Sequence, residues 1–547
     1  MDQTVIQHLQ QAEAHKDAGR INEAIAQYRQ ACQYLDQQPE LDRDTRTQFA
    51  GIQNNLGNML VQVNEFKEAR TYLKGSVNIY EQLTEEDRSH FAPYLALAYY
   101  NLAQASAKNE DTYGWRKNLR PSIELYKEAV ADHPGLRPYL ANALASLADS
   151  YTHDEPLMAE VHWKQCIAEY EKMLDTDPSV RPFLAAAWNN LAYNQKQEKA
   201  SSKAVLSYTQ TLEIYQALSQ EQPGEFDPFL ANTYNNLGIL FTEMQVPEEA
   251  IPNFERALKI YEEMDQGMPG PHLPYRATIE HNLGIIYDDQ QKHTLALDHY
   301  HTALAMRRQL ANENPESFLP DVCATSLNIA TLYQAMLEES GDMTYREQAL
   351  KLLADIEIDL DRIHQDGPAI TSMRSDLAYF QTYFNEVTDA EVQASRLLRR
   401  IEHWNDETFS TLDIDQKKAY QQEVRQAIDK YLARYPGQPV IEEQRVIAYG
   451  HLTWIHLLEQ NFPAALQAAQ EIDPTATEHL MPKINRAHAL LFNEHFTDAM
   501  ALYQRIKDDI TVDKKRGKEV VKQDFQALAI REVTHPAMKQ VLQQLHQ

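Results

Sequence analysis

Glycine is scarce in this chain, 16 residues in 547, well below the average usage of about 7%. That scarcity argues against a sheet-rich or loop-rich architecture. It also leaves little material for phosphate-cradling loops, and neither G-x-G-x-x-G nor G-x-x-x-x-G-K-S/T occurs. Only three cysteines are present, Cys32, Cys166 and Cys323. They lie far apart and form no C-x-x-C, which excludes a zinc knuckle or a disulfide framework and fits a reducing, cytoplasmic setting. H-E-x-x-H is missing as well. No apolar run approaches 18 residues, and the start at Met1-Asp2-Gln3-Thr4 lacks a basic segment followed by an apolar core. Neither a membrane span nor a signal peptide is expected.

Positive charge is also in short supply. Against 80 Asp and Glu stand 51 Lys and Arg, a net charge of -29. Such a field repels polyanions, so direct nucleic-acid binding and anionic membranes are disfavoured and a basic partner is favoured. Two basic runs, Arg396 to Arg400 and Lys514 to Lys518, are too short to reverse it and read as solvated helix faces.

What the chain does have is a repeat. Asn54-Asn55-Leu56-Gly57 returns as Tyr100-Asn101-Leu102-Ala103, Ala145-Ser146-Leu147-Ala148, Asn189-Asn190-Leu191-Ala192, Asn235-Asn236-Leu237-Gly238, His281-Asn282-Leu283-Gly284 and Leu327-Asn328-Ile329-Ala330. Steps between the second residues are 46, 45, 44, 46, 46 and 46, a spacing that marks a repeat array. Eight residues before that position stand Pro93, Pro138, Pro182, Pro228, Pro274 and Pro320. Proline is tolerated in a first helical turn, where its missing N–H has no intrahelical partner, so this series is expected at helix starts. A second series, Pro134, Pro178, Pro223, Pro269 and Pro315, is expected to close each unit.

A small residue follows the last position of the tetrapeptide by twelve in Ala69, Ala204, Ala250 and Ala296, with Ala159 one residue early. Leu73, Tyr208, Phe254, Tyr300 and Trp163 come four later, and Tyr80, Tyr170, Tyr215 and Tyr261 seven beyond those. Spacings of 4 and 7 place these residues on one face of a second helix. Small residues let two helices approach and large ones fill the space to the next hairpin. An N-terminal unit fits the frame through Ala12, Ala24, Tyr28, Ala31 and Leu35.

This pattern resembles tetratricopeptide repeats, and its length is most similar to the extended repeats of kinesin light chains and related bacterial proteins. The resemblance implies an all-α fold, a right-handed superhelical α-solenoid of antiparallel helix hairpins. It also implies a scaffold or adaptor, not an enzyme, that binds a partner protein or peptide on its concave surface and needs no cofactor or metal. A regulatory sensor or inhibitor subunit controlling an effector enzyme such as a protease is the alternative.

Residues 1–335 form the long-repeat array. Residues 336–440 read as an irregular helical region able to hinge, with a loop at Glu338 to Tyr345 and helices near 346–363, 369–384, 389–404 and 416–435. Ordinary 34-residue spacing relates Thr453, Ala465 and Ala469 to Ala487, Ala499 and Tyr503, giving two shorter repeats over 441–510. Residues 511–547 are expected to cap the array.

The recurring amides are the candidate site. The resemblance implies that first helices line the inner surface, where Asn55, Asn101, Asn190, Asn236, Asn282 and Asn328 could each donate to and accept from a ligand backbone. Equally, each could bond to a neighbouring hairpin. Ser146 interrupts the series, and no Lys/Arg pattern for clamping a terminal carboxylate is present. His293, His299, His301, His451 and His456 read as surface or packing residues. The acidic stretch Asp355, Glu357, Asp359 and Asp361 reads as a solvated helix face, and the cysteines as buried, inert thiols.

Overall fold

The computed structural model describes residues 2–266, 270–364, 367–404, 412–473, 475, 477–509 and 515–545. Pro269 and residues 511–514, which figure in the expectations above, lie outside that set. Among the described residues there are α-helices and short 3-10 turns, with no β-strand. The chain is all-α, built from consecutive antiparallel helix hairpins. It divides into two compact units, Met1–Met306 and Arg307–Gln547.

The first unit holds the long hairpins: α1 (Gln3–Asp17) with α2 (Ile21–Asp36), α3 (Arg43–Gln62) with α4 (Phe66–Glu86), and α5 (Arg88–Lys108) with α6 (Thr112–Asp132). They are followed by α7 (Arg137–Tyr151) with α8 (Pro156–Glu171), α9 (Arg181–Gln197) with α10 (Ser201–Glu221), and α11 (Asp227–Glu243) with α12 (Pro247–Asp265). Last come α13 (Leu273–Asp289) and α14 (His293–Glu313), whose final turns belong to the second unit. Five of the turns inside these hairpins share one device: Asn64, Glu110, Lys199, Gln245 and Gln291 adopt φ between 57° and 64°. A left-handed residue reverses the chain in minimal length.

Close packing inside each hairpin explains the small residues. A Cβ on Gly57 would collide with Leu73, one on Gly238 would stand 2.7 Å from the Phe254 ring, and one on Gly284 2.6 Å from the Tyr300 ring. Ala69, Ala204, Ala250 and Ala296 are fully buried, as are Leu73, Tyr208, Phe254 and Tyr300 to within 2%. One continuous core runs from Ala50 to Leu191, so each hairpin buries its apolar face on its neighbours.

Prolines mark starts less uniformly than expected. Pro138, Pro182, Pro228 and Pro274 stand in the first turn of α7, α9, α11 and α13, but Pro93 lies inside α5. Asp87 caps α5 upstream by accepting from the His90 N–H at 3.3 Å. This side-chain cap starts the helix before the proline and offsets the one ladder bond that Pro93 removes. Two members of the second series, Pro134 and Pro178, open 3-10 turns that lead into the next hairpin.

In the second unit, α15 (Pro315–Ser340) begins at Pro315, has Pro320 in its interior, and packs on α16 (Thr344–Asp361). The loop expected at Glu338 to Tyr345 shrinks to 341–343, because Gly341, at φ 71°, closes α15 in the left-handed conformation. Next come α17 (Pro368–Glu386), α18 (Asp389–Trp404) and α19 (Ile414–Arg434). Two short hairpins follow, α20 (Pro439–Leu458) with α21 (Phe462–Gln470) and α22 (Leu480–Phe492) with α23 (Phe496–Ile506), before α24 (Gly517–Ile530) and α25 (Met538–Leu545). Thr453, Ala465, Ala469 and their counterparts Ala487, Ala499 and Tyr503 are all buried.

Candidate partner-binding face of the first unit

The candidate asparagines sit midway along first helices, and the structure puts them in different states. Asn101, half-buried on α5, donates through Nδ2 to Asn54 Oδ1 of α3 at 3.0 Å. That bond joins two consecutive hairpins, so this copy spends its amide inside the chain. Asn55 is exposed and approaches the Tyr28 hydroxyl. At the interrupted position Ser146 is buried and accepts from Gln104 Nε2 at 2.8 Å and from Trp115 Nε1 at 2.9 Å.

Asn190, Asn236 and Asn282 are half-buried and make no side-chain hydrogen bond to the described residues. Asn189 and Asn236 occupy the same two positions of consecutive hairpins as Asn54 and Asn101, 47 residues apart, and so do Asn235 and Asn282. There the bond does not close. The Oδ1 atoms of Asn189 and Asn235 are buried without a partner among the described residues. An unsatisfied buried acceptor costs about 1–3 kcal/mol. Asn328 is half-buried on α15 of the second unit, and its side chain likewise bonds to none of the described residues.

A second row of side chains escaped the sequence reading. Seven residues before the amide position, on the same stripe of each first helix, stand Tyr94, Tyr139, Phe183, Phe229 and Tyr275, between 46% and 58% exposed. Each lies on an aromatic ring of the preceding second helix. The stacked pairs are Tyr80–Tyr94 at 5.9 Å, Tyr126–Tyr139 at 6.0 Å, Tyr170–Phe183 at 6.2 Å, Tyr215–Phe229 at 5.5 Å and Tyr261–Tyr275 at 5.4 Å. The signal was present in the sequence as an aromatic directly after five of the six prolines of the first series, all but Pro320. Along one helix the two rows stand about 10 Å apart, seven residues at 1.5 Å each.

One carboxylate, three residues beyond Ser146, is unusual. Asp149 of α7 reaches solvent, yet protein crowds it, and desolvation pushes its carboxyl up to about 6.

Three stretches of the chain, residues 49–90, 230–264 and 277–316, match the tetratricopeptide repeat family model. The chain carries tetratricopeptide repeats. Among solved structures it is similar to BtubC (BKLC) from P. vanneervenii, at 21% identity over 47% of this chain and 94% of that one, with a TM-score of 0.36. It is similar to RapI in its apo form, at 13% identity over 56% and 99%, with a TM-score of 0.36. A putative kinesin light chain from Podosopora anserina with nearly identical TPR-like repeats aligns at 17% identity over 41% and 100%, with a TM-score of 0.33. No curated protein matches. Tetratricopeptide repeats are a protein–protein interaction scaffold.

Outside the repeat faces, no group of three or more His, Cys, Asp or Glu among the described residues is arranged to hold a metal ion. No helix among them is long and apolar enough to cross a membrane. His299 pairs with Glu280 at 2.7 Å and His293 with Asp288 at 3.3 Å. The three cysteines are buried, and burial pushes each thiol up to about 12. One expectation needs correction. Asp359 does not belong to a solvated face, because it is buried against Arg308 and Arg362, at 3.7 and 3.4 Å. In the Arg396 to Arg400 run, Arg399 and Arg400 are exposed and pair with Glu338 and Glu423, Arg396 bonds Glu339 O, and all three line a cavity of about 520 Å3.

Proposed function

We propose that the first unit is a binding scaffold that holds an extended segment of a partner protein across Asn190, Asn236 and Asn282. One observation carries this reading: pairs Asn189/Asn236 and Asn235/Asn282 stay open where the equivalent pair Asn54/Asn101 is closed. An extended backbone offers one N–H and one C=O at each residue. The half-buried Asn190, Asn236 and Asn282 amides donate to its C=O groups and accept from its N–H groups. Recognition of backbone groups positions the segment. Asp149 favours a basic residue in it, because a cation would hold that carboxylate ionised.

A photo-crosslinking amino acid placed at Tyr193, an exposed residue of α9, tests the placement against a display-selected peptide. Crosslinking from Tyr193 and none from Leu206, exposed on α10, is the expected result. Crosslinking from Leu206 alone would put the partner elsewhere.

A further inference from the structure

Between the first two rungs of the aromatic row lies a cavity of about 700 Å3, lined among others by Tyr94, Tyr126 and Tyr139, by His90 and His133, and by Asp132. Three features set it apart from an ordinary crevice. Tyr126 is 2% exposed and its hydroxyl makes no hydrogen bond to the described residues, which leaves it open to a guest in the cavity. Asp132 is exposed at the end of α6 and forms no ion pair with them. Tyr139 is stacked on Tyr126 at 6.0 Å with an interplanar angle of 24°, and Tyr94 similarly on Tyr80, which holds both exposed rings in place before any guest arrives.

Aromatic faces beside an unpaired carboxylate suit a flat cation. A guanidinium stacks on a tyrosine ring, donates in bidentate fashion to a carboxylate and retains a donor for a hydroxyl. We infer that this cavity seats an arginine side chain of a protein partner, between the Tyr94 and Tyr139 rings and against Asp132, with the Tyr126 hydroxyl accepting from the guanidinium. The inference rests on the chain binding a protein and adds a contact in hairpins that do not hold Asn190, Asn236 or Asn282. The net charge of -29 attracts such a residue.

The test titrates the full chain with acetyl-Gly-Arg-Gly-amide and with the same peptide carrying citrulline, which keeps the shape and loses the charge, by saturation-transfer NMR. The arginine peptide is expected to bind in the range of about 1 mM, and citrulline about tenfold more weakly, the worth of one charge-assisted hydrogen bond. Asp132→Asn should weaken the arginine peptide about tenfold and leave citrulline unchanged. Tyr139→Ala, at a half-exposed position, should weaken it about threefold while circular dichroism stays that of the wild type. The triple variant N190A/N236A/N282A should bind the arginine peptide as the wild type does. Equal binding of both peptides, an unchanged affinity in Asp132→Asn, or no binding of the arginine peptide up to about 10 mM would each overturn the inference. None of those results bears on the asparagine face.

Discussion

Asn101 donates to Asn54 across two consecutive hairpins at 3.0 Å, and the same two positions three hairpins later, Asn236 and Asn189, do not meet. The first pair ties the array together. The second leaves the Asn236 amide for something else.

That difference should appear in stability. Asn101→Ala removes a half-buried bond and strands the Asn54 carbonyl, so it should cost about 1–2 kcal/mol. Asn236→Ala removes no bond within the chain and should stay within about 0.5 kcal/mol of wild type. Urea unfolding of the two variants measures both; equal costs would mean that the two pairs are equivalent in solution.

Packing at the small position should be unforgiving. Gly238→Val drives two methyl groups into the Phe254 ring, 2.7 Å from where even a Cβ would stand, and should cost about 1–3 kcal/mol. Gly51 is the control, since a Cβ there meets only the Tyr80 hydroxyl at 3.7 Å. Gly51→Ala should gain up to about 1 kcal/mol from helix propensity. Differential scanning calorimetry should show melting temperatures moving in opposite directions.

Asp149 carries a pH signature. Its folded pKa, about 6, lies above the 3.8 of the free group, so the fold prefers the neutral carboxyl. Its contribution to stability is complete below 3.8 and lost as pH rises through about 6. Asp149→Asn should therefore melt above wild type at pH 7, and the gap should close as pH falls toward 4. A gap independent of pH would mean that the carboxyl is not desolvated.

Cys32, Cys166 and Cys323 should be inert in the native protein. With each thiol buried and pushed up to about 12, thiolate is too rare and too hidden to react. A thiol-reactive chromogen at pH 8 should report almost no labelling of the folded chain and three equivalents after guanidinium denaturation, one per cysteine.

Much of the fold was legible because burial imposes a period. Ala69, Leu73 and Tyr80 recur at spacings a helix must turn inward, and their counterparts are buried in every long hairpin that keeps the pattern. Helix starts were legible only where nothing competed with proline. Asp87 caps α5 upstream of Pro93, and side-chain capping is a local bond that residue periodicity does not reveal. The positions of the candidate amides were legible, but not their states. Asn54/Asn101 and Asn189/Asn236 are the same residue types at the same spacing, and whether they close depends on the separation of two first helices, which is tertiary. The aromatic row could have been read directly, since Tyr94, Tyr139, Phe183, Phe229 and Tyr275 each follow a proline of the series.

The central claim is that Asn190, Asn236 and Asn282 hold a partner segment. It is tested most directly by the affinity of a peptide selected by display on the intact chain, measured by calorimetry on wild type and on the N190A/N236A/N282A variant. Loss of three amide contacts at about 0.5–1.5 kcal/mol each predicts a weakening of about tenfold or more, with unchanged circular dichroism. An affinity within twofold of wild type would contradict the account and take the partner off this face.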